Sequence, residues 1–252
     1  MERFLRTERL IGSNNMAILQ SKTILVAGLG AVGSYAVEGI VRMGVGSVIL
    51  ADFDTISRSN INRQLFALES TIGQSKVEVA RSRVKDINPK CNISAKKLFV
   101  HNDTLLELTT PPPDLIIDAI DSLNPKIELL SYAFKNNIPI ISSMGAALRT
   151  DPSKIKTGDI FDTTKCPLSK QVRKRLRNRG VGRGIECVFS TELIKFTYTD
   201  PEEETEDEDI VERGLKRRVL GSLPTLPGIF GLILANMAYK KLLKQQLSNK
   251  NL

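Results

Sequence analysis

Histidine is almost missing from this chain, and cysteine is sparse and scattered. His101 is the only histidine, which argues against a His-based metal centre and against a Ser-His-Asp triad. The three cysteines, Cys91, Cys166 and Cys187, form no CxxC pair. That usage fits a reducing, cytoplasmic setting and speaks against a structural zinc site, so no zinc is expected. No apolar run follows the N-terminal Arg3, Arg6 and Arg9, so no secretory signal is read there. Charge of either sign is absent from Val219 to Tyr239. The run is long enough to make a membrane span conceivable. Pro224, Pro227, Gly228 and Asn236 interrupt it, and a buried helix from about Ile229 is favoured over membrane contact.

What is present is ordinary for a globular protein. The chain has 252 residues, 41% hydrophobic and 25% charged, enough to bury a core without disulfides. The net charge of +8 conceals an asymmetry, because Asp200 to Asp209 holds eight acids and no base. Without that run the rest of the chain carries twice the positive charge, a body that attracts polyanions, and the run itself reads as a solvated loop. Eight bases and no acid lie between Lys165 and Arg183. Lys170, Lys174 and Arg177 share a helical face there, and with Arg173 they suit contact with an RNA phosphate backbone.

Hydrophobic patterning predicts buried strands at Lys22–Ala27, Ser47–Ala51, Asp114–Ala119 and Ile138–Ser142, with a further strand at Asn92–Val100. Helices are predicted at Ala31–Met43, Ser75–Ile87 and Pro125–Lys135. This alternation is that of an α/β, Rossmann-like, doubly wound and mostly parallel sheet. After residue 145 a strand at Lys154–Asp162, a basic helix at Pro167–Arg179 and one or two strands within Ile185–Thr199 extend it. Residues 1–252 are read as one domain, with a nucleotide-binding part at 1–145 and an extension at 146–252.

Gly28-Leu-Gly30-Ala-Val-Gly33 follows the first strand directly and opens a helix. Glycines there let a phosphate approach the backbone, and Asp52 at the end of the next strand can accept from ribose hydroxyls. The motif indicates a nucleotide without separating NAD from ATP. DTISRSNINRQ at 54–64 and GQSK at 73–76 supply Asn60, Arg63, Gln64 and Lys76, and an Arg with a Lys suits a triphosphate. Asp118 and Asp121 lie at the carboxyl end of the fourth strand, where a carboxylate can hold Mg²⁺. Asp121, nearer the strand end, is preferred.

The ordered set GxGxxG, DxD…SNxxRQ, GQxK and DAxDS resembles the adenylyltransferases of the ubiquitin-activating, molybdopterin and thiamine pathways. RTERLIG at 6–12, IDAIDSLNPK at 117–126, PLSKQVRKRLR at 167–177 and ECVFSTE at 186–192 are similar to the tRNA threonylcarbamoyladenosine dehydratase branch. The resemblance implies ATP and Mg²⁺ as cofactors. It implies adenylation of a threonyl carboxylate beside the tRNA anticodon, then a ring-closing dehydration with release of AMP and pyrophosphate. It assigns Gly28, Gly30, Gly33, Asp52, Asn60 and Gln64 to nucleotide binding, and Arg63, Lys76 and Asp121 to catalysis, with Asp121 at the metal. It also implies a homodimer in which Arg6 or Arg9 reaches the partner's triphosphate. An activator of a ubiquitin-like sulfur carrier ending in Gly-Gly is the alternative. A dinucleotide oxidoreductase and a non-catalytic RNA- or membrane-binding protein are weaker rivals. Cys187, and less so Cys166, is considered as a thiol nucleophile against the plainer reading of a buried small hydrophobe.

Overall fold

The computed structural model describes residues 2–194 and 220–249, with side chains placed to 243. The acidic run and most of the stretch read as a second strand near Thr199 lie outside the described residues.

Seven strands form one sheet in the order β3-β2-β1-β4-β5-β7-β6. They are β1 (Thr23–Ala27), β2 (Ser47–Asp52), β3 (Asn92–Lys97), β4 (Leu115–Asp118), β5 (Ile140–Ser143), β6 (Ile155–Asp159) and β7 (Glu186–Ser190). All neighbouring pairs are parallel except β6–β7. Strands buried on both faces need no alternation of polar and apolar residues, which is why β1 (TILVA) and β4 (LIID) are almost wholly apolar. Ile24 and Val26 of β1 join the core on one face, and Leu25 and Ala27 join the core on the other.

Helices cover both faces. On the first lie α2 (Ser13–Ser21), α3 (Gly33–Arg42), α4 (Lys76–Ile87) and α8 (Thr225–Asn249). On the second lie α5 (Asn102–Leu108), α6 (Leu123–Lys135) and α7 (Pro167–Asn178). A further short helix, α1 (Leu5–Ile11), leads into α2 and buries none of its residues. The charge-free C-terminal run is the buried helix expected of it: Phe230, Leu234, Ala235, Ala238 and Leu242 sink into the first core against α3. No helix among the described residues is long and apolar enough to cross a membrane.

The chain leaves β1 toward one face through α3 and leaves β4 toward the other through α6. Where adjacent parallel strands send their connections to opposite sides, a crevice opens at their carboxyl ends, and ligands of such sheets sit there. Gly28–Gly33 and the loop carrying Asp121 are the two lips of that crevice.

Candidate functional site

The three loop glycines do different work. Gly28 has φ +87°, and a Cβ there would stand 2.8 Å from the Ala119 carbonyl oxygen on the β4 lip. A Cβ on Gly33 would meet the Gly28 carbonyl oxygen at 1.8 Å. Both positions close the loop upon itself and upon β4. At Gly30 an added Cβ would meet only Gln64 Nε2, at 3.8 Å. Gly30 therefore marks the place where a ligand can approach the backbone. Main-chain bonds from Gly28 N–H to Ala51 O (2.8 Å) and from Ala119 N–H to Ala27 O (2.9 Å) lock the two lips in place.

Asp52 ends β2 and is 8% exposed. Its Oδ2 accepts the Leu29 N–H at 2.6 Å, and its Oδ1 accepts the Asp54 N–H at 2.8 Å. Burial pushes its carboxyl above the ordinary value, while the Lys76 ammonium nearby pulls it part of the way back. A carboxylate has about four lone-pair sites, so two accepted bonds leave capacity for ribose hydroxyls.

Residues 54–64 and 73–76, distant in the sequence motif, are stitched together. Thr55 and Ser75 form an antiparallel bridge, Ile56 N–H donates to Gln74 O (2.9 Å), and Gly73 N–H donates to Ile56 O (2.8 Å). The ladder delivers Lys76, the first residue of α4, so that its Nζ lies 2.8 Å from Asp54 Oδ2 with the lysine only 5% exposed. Gln64 is 9% exposed and faces Gly30. Asn60 caps its own turn, its Oδ1 accepting the Ser57 N–H at 3.2 Å. Arg63 turns back on its loop, donating from Nη1 to Ser59 O and to Asn62 Oδ1, both at 2.8 Å. The crevice thus gathers Gly30, Asp52, Gln64 and Lys76, while the side chains of Asn60 and Arg63 bond within their own loop. Arg6 and Arg9 are exposed on α1, and among the described residues no hydrogen bond or ion pair ties either to these loops.

On the β4 lip Asp121 is exposed, its Oδ1 accepting from Ser122 Oγ at 3.3 Å. Asp118, by contrast, is wholly buried. Its Oδ2 lies 2.5 Å from Lys126 Nζ and accepts from Ser142 Oγ at 2.6 Å, while its Oδ1 accepts the Ile120 N–H at 3.1 Å. Lys126, also fully buried, donates further to Ser143 O at 3.0 Å. The pair is a strut beneath the Asp121 loop. Sequence reasoning overlooked Lys126, since a lysine after a proline at a helix start reads as surface; the only signal was its place eight residues after Asp118. No group of three or more His, Cys, Asp or Glu converges on one point among the described residues. An exposed carboxylate at a strand end is a type of ligand Mg²⁺ takes, with phosphate and water oxygens as the usual remainder.

The basic helix α7 rests on Val172 and Leu176, with Ser169 buried beside them. Arg173 points inward, donating to Thr163 O at 2.7 Å, to Thr163 Oγ1 and to Ser169 Oγ at 3.2 Å. It leaves the exposed row formed by Lys170, Lys174 and Arg177. Cys187 is fully buried in β7 and Cys166 nearly so. Burial raises the Cys187 thiol far above its ordinary value, which suits a small core residue and not a nucleophile.

A Gly30 opening, a strand-end carboxylate with acceptor capacity to spare and a buried lysine beside an acid together fit a nucleotide. The model of the ThiF family matches residues 3–252. The chain belongs to the ThiF family. Within it, the tRNA threonylcarbamoyladenosine dehydratase of Bacillus subtilis is 38% identical over 97% of this chain and 96% of its own length. The solved E. coli tRNA N6-threonylcarbamoyladenosine dehydratase in complex with AMP is 32% identical, with a TM-score of 0.87, covering 98% of this chain and 96% of that one. The same enzyme solved with ATP gives a TM-score of 0.86. The E. coli molybdopterin-synthase adenylyltransferase is 35% identical but matches only 53% of this chain and 52% of its own length. The α/β sheet of this ThiF-family member is thus the one its strand pattern announced.

Proposed function

We propose that the chain uses ATP to dehydrate N6-threonylcarbamoyladenosine in tRNA, activating the threonyl carboxylate so that the group's own carbamoyl closes a ring upon it, with AMP and pyrophosphate released. One observation carries this reading over activation of a sulfur-carrier protein. Similarity to the Bacillus subtilis dehydratase covers 97% of the chain, so it takes in α7 and β7, whereas similarity to the molybdopterin enzyme covers 53%.

ATP, when bound, supplies an AMP group that turns a carboxylate oxygen into part of a leaving group. This chain's residues bind and orient. Gly30 leaves room for phosphates at the mouth of α3, whose N-terminus favours negative charge. Asp52 accepts from the ribose, and Gln64 donates across the opening. Lys76, released from Asp54 or shared with it, neutralises phosphate charge, and Arg63 joins it once it swings from its own loop. Asp121 holds Mg²⁺ at the opposite lip. The substrate lies in the tRNA anticodon loop. The protein works as a cytoplasmic homodimer in which Arg6 or Arg9 crosses to the other subunit's site, and light scattering on the purified protein reads the dimer directly.

The deciding experiment incubates the protein with ATP, Mg²⁺ and tRNA bearing threonylcarbamoyladenosine, followed by nucleoside mass analysis. Loss of one water from that nucleoside, matched by AMP, is the expected result. An unchanged nucleoside, with AMP appearing only when a protein ending in Gly-Gly is added, transfers the chemistry to the sulfur-carrier class.

A further inference from the structure

The eight bases between Lys165 and Arg183 form no uniform patch, because the structure sorts them. Arg173 is spent on Thr163 and Ser169, as above. Arg183 is paired with Asp162 through both nitrogens, Nη1 lying 2.9 Å from Oδ2. Arg177 lays its guanidinium 5.3 Å above the centre of the Phe161 ring. Arg175 reaches the other way and donates from Nη1 to Asn124 Oδ1 on α6. Asn124 stands three residues after Asp121, so one edge of α7 abuts the lip that carries the proposed metal carboxylate.

With Ser169, Val172 and Leu176 facing the core, the 3.6-residue period turns Arg177, Lys170, Lys174, Gln171, Asn178 and Arg175 outward. That arc is entirely basic or amide. It holds two exposed ammonium groups for phosphates, and a guanidinium backed by an aromatic ring, on which a base can stack. Its Arg175 edge faces a neutral amide, not a carboxylate, so its charge remains available to an anion.

We infer that the RNA backbone lies along this outer arc of α7, with Lys170 and Lys174 gripping phosphates, and that Arg175, at Asn124, is the positioning residue where the RNA surface meets the nucleotide site. The inference rests on the proposed tRNA reaction, gives it a surface, and excludes Arg173 from that surface.

The test uses full-length protein and tRNA bearing threonylcarbamoyladenosine, with binding followed by fluorescence anisotropy across a salt series. Lys170→Glu/Lys174→Glu should weaken tRNA binding at least about tenfold and reduce the salt slope by about one for each phosphate that is no longer neutralised. ATP affinity by calorimetry and the melting temperature should stay those of the wild type. Arg81→Glu/Lys90→Glu, an equal charge change at exposed positions in the middle of α4 and just beyond it, should leave tRNA affinity as it was. Arg175→Ala should keep tRNA affinity within about threefold while turnover at saturating tRNA falls about tenfold or more, a split expected of a misaligned substrate. If the glutamate pair impairs folding, Lys170→Gln/Lys174→Gln gives the same readout more gently. Unchanged tRNA affinity in both lysine variants overturns the surface, as does loss of binding to anionic phosphatidylglycerol vesicles with tRNA binding intact. Unchanged turnover in Arg175→Ala overturns its positioning role. Wild-type protein that binds tRNA yet leaves the nucleoside untouched would sink the proposed reaction and leave the surface standing. Conversion by the wild type with full tRNA binding by the lysine variants does the reverse.

Discussion

One methyl group, added at each of three loop glycines, has three expected outcomes. Gly33→Ala drives a carbon to 1.8 Å from the Gly28 carbonyl oxygen and should unfold or severely destabilise the protein, by roughly 4 kcal/mol or more. Gly28→Ala combines a left-handed backbone with a 2.8 Å approach to Ala119 O and should cost roughly 1–3 kcal/mol. Gly30→Ala meets only an amide at 3.8 Å and should leave the melting temperature nearly unchanged while weakening ATP binding. Parallel melting curves and ATP titrations check the series; a Gly30→Ala protein with intact ATP affinity would remove that glycine from the phosphate path. Asp52 offers a second residue-level test. Burial holds its carboxyl above the ordinary value, so protonation favours the folded state. That stability is fully present below the unfolded value of about 3.9 and is lost as pH rises through the raised folded value. The melting temperature of the wild type should therefore gain on that of Asp52→Asn as pH falls from about 6 toward about 4. A gap that moves the other way would contradict the burial argument. At this scale the candidate residues were legible as types, but their engagements were not. The Lys76–Asp54 pair depends on a two-residue bridge, and Arg173 is directed by Thr163, which lies in the turn before the helix.

At the scale of elements, α8 backs the nucleotide loop through close packing on α3. A Cβ on Gly231 would stand 2.4 Å from the Val32 carbonyl oxygen and 2.7 Å from Tyr35 Cβ, at the very start of α3. Gly231→Ala should thus cost about 1–3 kcal/mol, the usual range for overpacking. Unlike a defect elsewhere in the core, it should also weaken ATP binding, because α3 presents the phosphate loop. A variant that melts early yet binds ATP normally at low temperature would separate α8 from the site. Strands β1, β2 and β4 were readable because burial on both faces makes them nearly continuous apolar runs, and β5 through its paired isoleucines Ile140 and Ile141. β3 ends at Lys97 and not at Val100, as an edge strand carries a mixed pattern that blurs its limits. Helices α1, α2 and α5 went unread: α1 buries nothing, α2 buries only Met16 and Leu19, and α5 is seven residues long. α8 begins at Thr225 and not near Ile229, since Pro227 occupies its first turn, where a proline lacks only a hydrogen bond that the helix never makes.

For the whole molecule, ligand and stability are linked. If ATP binds the folded chain alone, a concentration one hundred times its Kd contributes about 2.7 kcal/mol. In a chain of this length that corresponds to a rise in melting temperature of about 5–11 °C. Differential scanning fluorimetry with and without ATP and Mg²⁺ measures it, and no rise at saturating ATP contradicts the nucleotide site. The overall fold followed from the strand–helix alternation, whereas the antiparallel closure by β6 required the coordinates. Net positive charge indicated a polyanion without saying which bases face it, because sorting them depends on which side of α7 is buried.

Among the described residues, β3 and β6 are the outermost strands of the sheet. Lys96 and Lys97 close β3, and Lys156 sits on β6. Strand edges invite further strands, and lysines there oppose a second copy docking rim to rim. Those charges turn a pairing of two copies away from the strand rims and toward the helical flanks.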